Sequence, residues 1–207
     1  MIKCFHLLGI APIILIATVG VVFAGPETVT TAPDGATTHK EASLYRISFD
    51  APSLAPMAFL RFCIRYPRDC EIRSMHPDPI TLTLTRITDL IAVNRTVNEA
   101  ILPRADNSRV NQEEWLLSPR AGDCNDYAVT KRHMLLSRGW PSRSLLLAEV
   151  VTVSGQHHLV LVVRTREDDL LLDNLDPNIH PVSQGQYKWV RAQYEKNPKL
   201  WSAVSVW

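Results

Sequence analysis

Cys124, His158 and Asp173 are the side chains of this sequence whose types and order allow acyl-transfer chemistry. A thiol nucleophile needs a base to take its proton, and the base needs a third group to hold its ring in one orientation. Cys124 follows Gly122-Asp123 at the head of a helical pattern, His158 opens a strand pattern, and Asp173 lies in the next one. A free thiol is only a few per cent ionised at neutral pH, so such a site must lower its pKa. A helix N-terminus does this with unpaired N–H groups and a partial positive charge, and a histidinium opposite adds to it. His158 then returns the proton to the leaving amine, while Asp173 accepts from the other ring nitrogen. The backbone N–H of Cys124 meets the oxyanion, with the indole of Trp115 as a further donor.

Singly, these residues carry less. An unpaired cysteine is as often buried and inert as reactive. A loop histidine such as His157 is ordinarily solvated, and an aspartate before Asn174 and Leu175 is ordinarily a turn cap. The order of cysteine on a helix start, then histidine and aspartate on successive strands, is a specific arrangement that sets a thiol hydrolase level with the inert reading.

Periodicity supplies the scaffold for these groups. Gly122-Asp123 announces a helix from Cys124 to Arg138, with Asp123 as N-cap, Asp126 as a solvated first-turn acid, Gly139 as stop and Pro141 forbidding continuation. Three β-like runs come next, Leu145 to Val153, His158 to Thr165 and Leu170 to Leu175, separated by turn-sized gaps that predict an antiparallel meander. The continuous apolar character of Leu159 to Val163 predicts a central, covered strand, with the helix as its cover. For His158 to meet Asp173 the two strands must pair so that these residues are opposite or diagonal, with the turn near Thr165-Arg166. Upstream, Leu44 to Phe49 reads as a short strand before a loop broken by Pro52 and Pro56, and residues 57 to 65 as a short helix. Apolar positions between Thr81 and Ile101 recur at helical steps, ending before Pro103, and Arg104 to Glu114 reads as a loop. Asn94-Arg95-Thr96 matches a glycosylation acceptor as a pattern that chance explains.

The first 24 residues read as a secretory signal: Lys3, an apolar stretch from Leu7 to Phe23, and Val22-Phe23-Ala24 before Gly25. A retained anchor is the alternative, since the apolar run approaches spanning length. Residues 25–43 are rich in Thr, Ala, Gly and Pro and read as a flexible leader, leaving residues 44–207 as one domain. Cleavage takes away Lys3 and no acid, leaving 21 basic and 21 acidic residues, a balance that offers no field for nucleic acid or an anionic membrane. The membrane is then met only through an uncleaved signal. Of four cysteines, Cys4 leaves with the signal. Cys63 and Cys70 can close a small loop around Pro67 in an oxidising compartment, the alternative being two buried thiols, and Cys124 is left over.

The stretches GDCNDYAVTKRHMLLSRGWP, GQHHLVLVVRT and LLLDNLD resemble the bacterial transglutaminase-like cysteine proteinases, whose pattern is GDCEDY, a long helix ending at GWP, GHAVLVVRT and DLVLDNL. Upstream, AFLRFCIRYPRDC is similar to the family's two-cysteine segment and IAVNRTVNEAI to its paired-asparagine helix, so the likeness spans about residues 54 to 201. The resemblance implies an α+β, papain-like or transglutaminase-like fold, with the nucleophile-bearing helix packed on an antiparallel sheet. It implies a Cys124-His158-Asp173 triad, with His158 preferred to His157 because it directly precedes the apolar strand. It also implies export to the periplasm or medium, and a protein or peptide substrate. Relatives that trim surface adhesins make an adhesin, or a membrane regulator, an expected partner. Some members hold calcium with acids flanking the cysteine. Here Asp123 is kept but Asn125 stands where those carry Glu, so calcium has one carboxylate fewer to bind and no cofactor is required. Asp123 reads equally well as a helix cap. The aromatic and basic tail from Tyr187 is expected to pack on the core and close the domain rather than to stack on nucleic acid. A transamidase on the same triad, and a catalytically idle binding protein, remain the alternatives.

Overall fold

The computed structural model describes residues 45–73, 80–104 and 113–206. The expected signal, the leader, Trp207 and most of the loop from Arg104 to Glu114 lie outside the described residues. The architecture is α+β, with helices against a seven-stranded sheet whose neighbouring strands pair antiparallel.

β1 (Ile47–Ser53) is longer than its sequence pattern and runs through Pro52. It does so because it is an edge strand paired on one side only, with an irregularity between Phe49 and Pro52, where a missing N–H costs little. α1 (Met57–Arg65) buries Ala58, Phe59 and Phe62. A 3₁₀ turn at Pro67–Cys70 brings the chain back so that Cys63 and Cys70 form a disulfide, with Cα atoms 5.6 Å apart. α2 (Leu84–Ala100) starts at Thr83, whose hydroxyl accepts from the Arg86 N–H. Asn94 on this helix is buried and donates Nδ2 to the Pro177 carbonyl at 2.9 Å, so the glycosylation pattern marks no accessible acceptor.

A two-residue pairing of β2 (Leu102–Pro103) with β3 (Ala121–Gly122) leads into α3 (Cys124–Ser137). Gly139, at φ +82°, ends that helix in a conformation that other residues rarely adopt. Residues 124–132 of α3 are all buried, so the helix lies inside the molecule rather than on it. Its internal cation Arg132 is held by the carbonyls of Leu145 and Asp69, and burial lowers its pKa to about 10.

β4 (Leu145–Val151), β5 (His157–Arg164) and β6 (Asp169–Leu172) form the expected meander, and β7 (His180–Pro181) extends it at one edge. Beyond β4 the sheet continues with β8 (Lys188–Tyr194) and β9 (Asn197–Val206), giving the order β1-β9-β8-β4-β5-β6-β7. The tail therefore closes the domain as a hairpin of the main sheet. Leu145, Leu147, Leu159, Leu161 and Val163 pack with α1, α2 and α3 on one face. Leu146, Ala148, Val150, Val160 and Val162 form a second apolar cluster with Val182, Ala192 and Val204 on the other. With both faces covered, β5 is buried from His158 to Arg164, as its unbroken apolar run requires.

Candidate active site

Cys124 is the first residue of α3, and the loop before it is built around Asp126. The Asp123 carboxylate accepts from the Asn125 N–H at 3.0 Å and from the Asp126 N–H, and Asp126 Oδ2 accepts from the Asp123 N–H at 3.1 Å, so Asp123 and Asp126 form a reciprocal capping box. Asp126 Oδ1 also accepts from the Leu116 N–H at 2.7 Å. Asp126 is thus a buried organiser of the turn, a correction to its reading as a solvated acid. A Cβ at Gly122 would meet Asp126 Oδ2 at 2.2 Å, so this approach admits only glycine at that position.

The sulfur of Cys124 lies against β5, where the Leu159 N–H points to Sγ at 3.4 Å. That contact sets the sulfur against the backbone one residue beyond His158. Cys124 is buried and, in the full-length chain, disulfide-bonded. The other half of that bond lies outside the described residues. A disulfide sulfur neither ionises nor attacks a carbonyl, so thiol chemistry here requires the reduced form.

His158 and Asp173 are brought together. The register of β5 on β6, Leu161 with Leu172 and Val162 with Leu171, sets Asp173 one step past the pairing and diagonal to His158. Nε2 of His158 lies 2.7 Å from Asp173 Oδ1, with both side chains about 2% exposed or less. The other ring nitrogen, Nδ1, is then the atom left to serve a thiol. The same Oδ1 accepts from the N–H groups of Asn174 at 2.6 Å and Leu175 at 3.1 Å. Asn98 Nδ2 donates to the Asp173 carbonyl at 2.9 Å, so the paired asparagines of α2 hold the segment that carries this carboxylate. Burial would raise the Asp173 pKa, but hydrogen bonding and charge from His158, with Tyr187 and the Leu175 N–H, more than offset it and hold the carboxyl at about 2.

Sequence reasoning missed two of the groups around Asp173. The Tyr187 hydroxyl donates to Oδ2, and its ring centroid lies 5.9 Å from that of His158. Lys131, two turns along α3 from Cys124, is 1% exposed. Burial lowers its pKa to about 7, against the pull of the Asp173 charge. Neither had a signal in the sequence beyond its residue type.

The remaining candidates are placed differently. His157 is a strand residue whose Nδ1 lies 2.6 Å from the buried Glu149, which in turn accepts from Arg191 Nε at 2.6 Å, so it is not a merely solvated loop histidine. Trp115 is buried against Phe59 and Phe62, and its indole N–H donates to Glu113 Oε1 at 3.0 Å. Asn125, also buried, donates Nδ2 to the same oxygen at 2.9 Å, while its Oδ1 is 3.9 Å from Cys124 Sγ. Among the described residues no helix is long and apolar enough to cross a membrane.

No curated protein matches the chain. Among solved structures it is similar to Legionella pneumophila LapG, at 27% identity and TM-score 0.45, over 54% of this chain and 65% of that one. The calcium-bound form of Legionella pneumophila LapG aligns at 24% identity and TM-score 0.50, covering 59% of this chain and 71% of that one. An EGTA-treated form aligns at 28% identity and TM-score 0.44, over 51% and 62% of the two chains. The chain therefore spans just under two thirds of the first of these relatives. Residues 50–206, from within β1 to the end of β9, match the bacterial transglutaminase-like cysteine proteinases, and the chain belongs to that family of cysteine peptidases.

Proposed function

We propose that this protein is an exported peptidase that cleaves peptide bonds through Cys124, His158 and Asp173. The observation that carries the proposal is the buried His158–Asp173 pair, whose neighbour Leu159 touches Cys124 Sγ. The reacting form is the reduced thiol. Removal of residues 1–24 takes Cys4 away, and with Cys63 bonded to Cys70 the mature chain keeps Cys124 as its thiol.

Thiolate attack on the scissile carbonyl forms the C–S bond, and the carbonyl oxygen takes the negative charge. The first-turn N–H of Cys124 faces that charge, aided by the helix dipole. The Trp115 indole is already engaged by Glu113, so it supports the loop rather than supplying an oxyanion donor. Collapse of the intermediate breaks the C–N bond as His158 gives its proton to the amine. Water then attacks the thioester, losing a proton to His158, and the carboxylic acid leaves as the thiolate returns. Asp173 keeps the imidazole oriented through both halves.

Calcium requires six to eight oxygen ligands. Asp123 here accepts from helix N–H groups, and Asn125 donates Nδ2 to Glu113 while its Oδ1 is turned to the Cys124 sulfur. Among the described residues no three acidic, histidine or cysteine side chains converge on a cation position. These side chains do not fit a calcium site as they stand, and no step is routed through the ion.

A periplasmic or secreted location, and a surface adhesin as substrate, accord with the family resemblance. The test compares surface and medium proteins from cells making the wild-type chain with those making Cys124→Ala. A polypeptide shortened only with the wild type supports the proposal, and identical protein sets would overturn it. Adding a labelled primary amine with a glutamine-containing peptide separates hydrolysis from transamidation, since only a transamidase incorporates the label.

A further inference from the structure

The two oxygens of the Asp173 carboxylate are held very differently. Oδ1 accepts from His158 Nε2 and from the N–H groups of Asn174 and Leu175, three donors on one atom. Oδ2 accepts from the Tyr187 hydroxyl. A carboxylate fixed through one atom still swings about that atom, and fixing the second oxygen locks its plane. Tyr187 sits just before β8, which lies across β4 from the strands that bear the pair, so its contact ties two parts of the sheet together. Its ring lies beside His158, and it also lines a cleft of about 590 Å³ with Val153, Leu175, Asp176, His180 and Gln186.

We propose that Tyr187 is a positioning residue of this peptidase, locking Asp173 so that the His158 imidazolium stays paired with it and turned toward the sulfur. The inference rests on the triad reading above. Other charged groups face Asp173 as well. Lys131 approaches from α3, and Asp176, paired with His180 at 3.4 Å, acts on Tyr187 from farther along the segment. Tyr187 differs from these in making a direct hydrogen bond to the carboxylate. Burial and the carboxylate together raise the Tyr187 pKa, so the hydroxyl remains a donor throughout the working range. Without this donor the imidazolium is less well held, and the thiolate it stabilises loses population.

The test uses the reduced mature chain and iodoacetamide as the probe of Cys124, with rates normalised to the folded fraction by circular dichroism. Tyr187→Phe keeps the ring and removes only the hydroxyl. At about pH 6 its alkylation rate should fall about tenfold, the change in thiolate fraction that accompanies one unit of thiol pKa. In an Asp173→Ala background the same substitution should have no further effect, because Tyr187 acts through Asp173. A purely structural role would lower the melting temperature equally in both backgrounds without this loss of coupling. An unchanged or faster rate in Tyr187→Phe, or an equal fall in both backgrounds, would overturn the inference. His158→Ala is the control: a rate unchanged there refutes the triad itself, whereas a fall there alone refutes only the role of Tyr187.

Discussion

At the scale of single residues, the chemistry rests on how charge is tolerated in a dry interior. Asp173 remains ionised there because both of its oxygens accept hydrogen bonds, from His158, from its own turn and from Tyr187. Lys131 is the converse case, a cation whose burial lowers its pKa from 10.5 to about 7. The unfolded chain holds that proton up to the ordinary lysine range, while the folded chain releases it near neutrality. Folding stability contributed by this group therefore rises with pH between about 7 and about 10.5, and is lowest below neutrality. Lys131→Met should remove this rise. Urea midpoints of wild type and variant, compared at about pH 6.5 and about pH 9.5, should diverge at the lower pH with the variant more stable, and a constant difference would contradict the assignment. The contact between His158 and Asp173 was legible from residue type and strand order. Tyr187 was not, because a tyrosine before a strand carries no signal until the sheet order sets it beside Asp173.

At the scale of elements, the N-terminus of α3 is a tightly specified joint. Asp126 curls back over Gly122 to accept from Asp123, and its other oxygen secures Leu116, so one carboxylate fixes both the helix start and the segment approaching it. Gly122→Ala should displace Asp126 and cost at least about 1 kcal/mol, the usual value of a lost helix cap. It should also slow alkylation of Cys124. Urea unfolding checks the first and iodoacetamide kinetics the second, and wild-type values for both would contradict the reading. α3 was readable because Asp123, Gly139 and Pro141 mark its ends, and the meander because turn-sized gaps separate three apolar runs. β8 and β9 were not. Their inward and outward positions do not alternate cleanly, since irregular pairing at Glu149/Val150 and Gln193/Tyr194 interrupts the two-residue period on which strand recognition depends. β1 was read short because Pro52 normally ends a strand, and only its place at the sheet edge makes the proline acceptable.

At the scale of the whole molecule, the sheet order carries the functional argument. β5 lies between β4 and β6 and is covered on both faces, so the strand that bears His158 is firmly held. Its opening residues extend past the end of β6, and there the Leu159 N–H is turned to the sulfur. The tail hairpin of β8 and β9, with β1 outside it, buttresses β4 and delivers Tyr187 to the site. In the proposed mechanism the sulfur at the helix tip acts only as a thiol. The most direct test is the pH dependence of Cys124 alkylation by iodoacetamide in the reduced mature chain, for wild type and His158→Ala. The wild-type rate should follow a thiol titrating well below the ordinary value of about 8.5, and His158→Ala should return it toward that value. A wild-type thiol that titrates near about 8.5 and ignores the loss of His158 would contradict the triad.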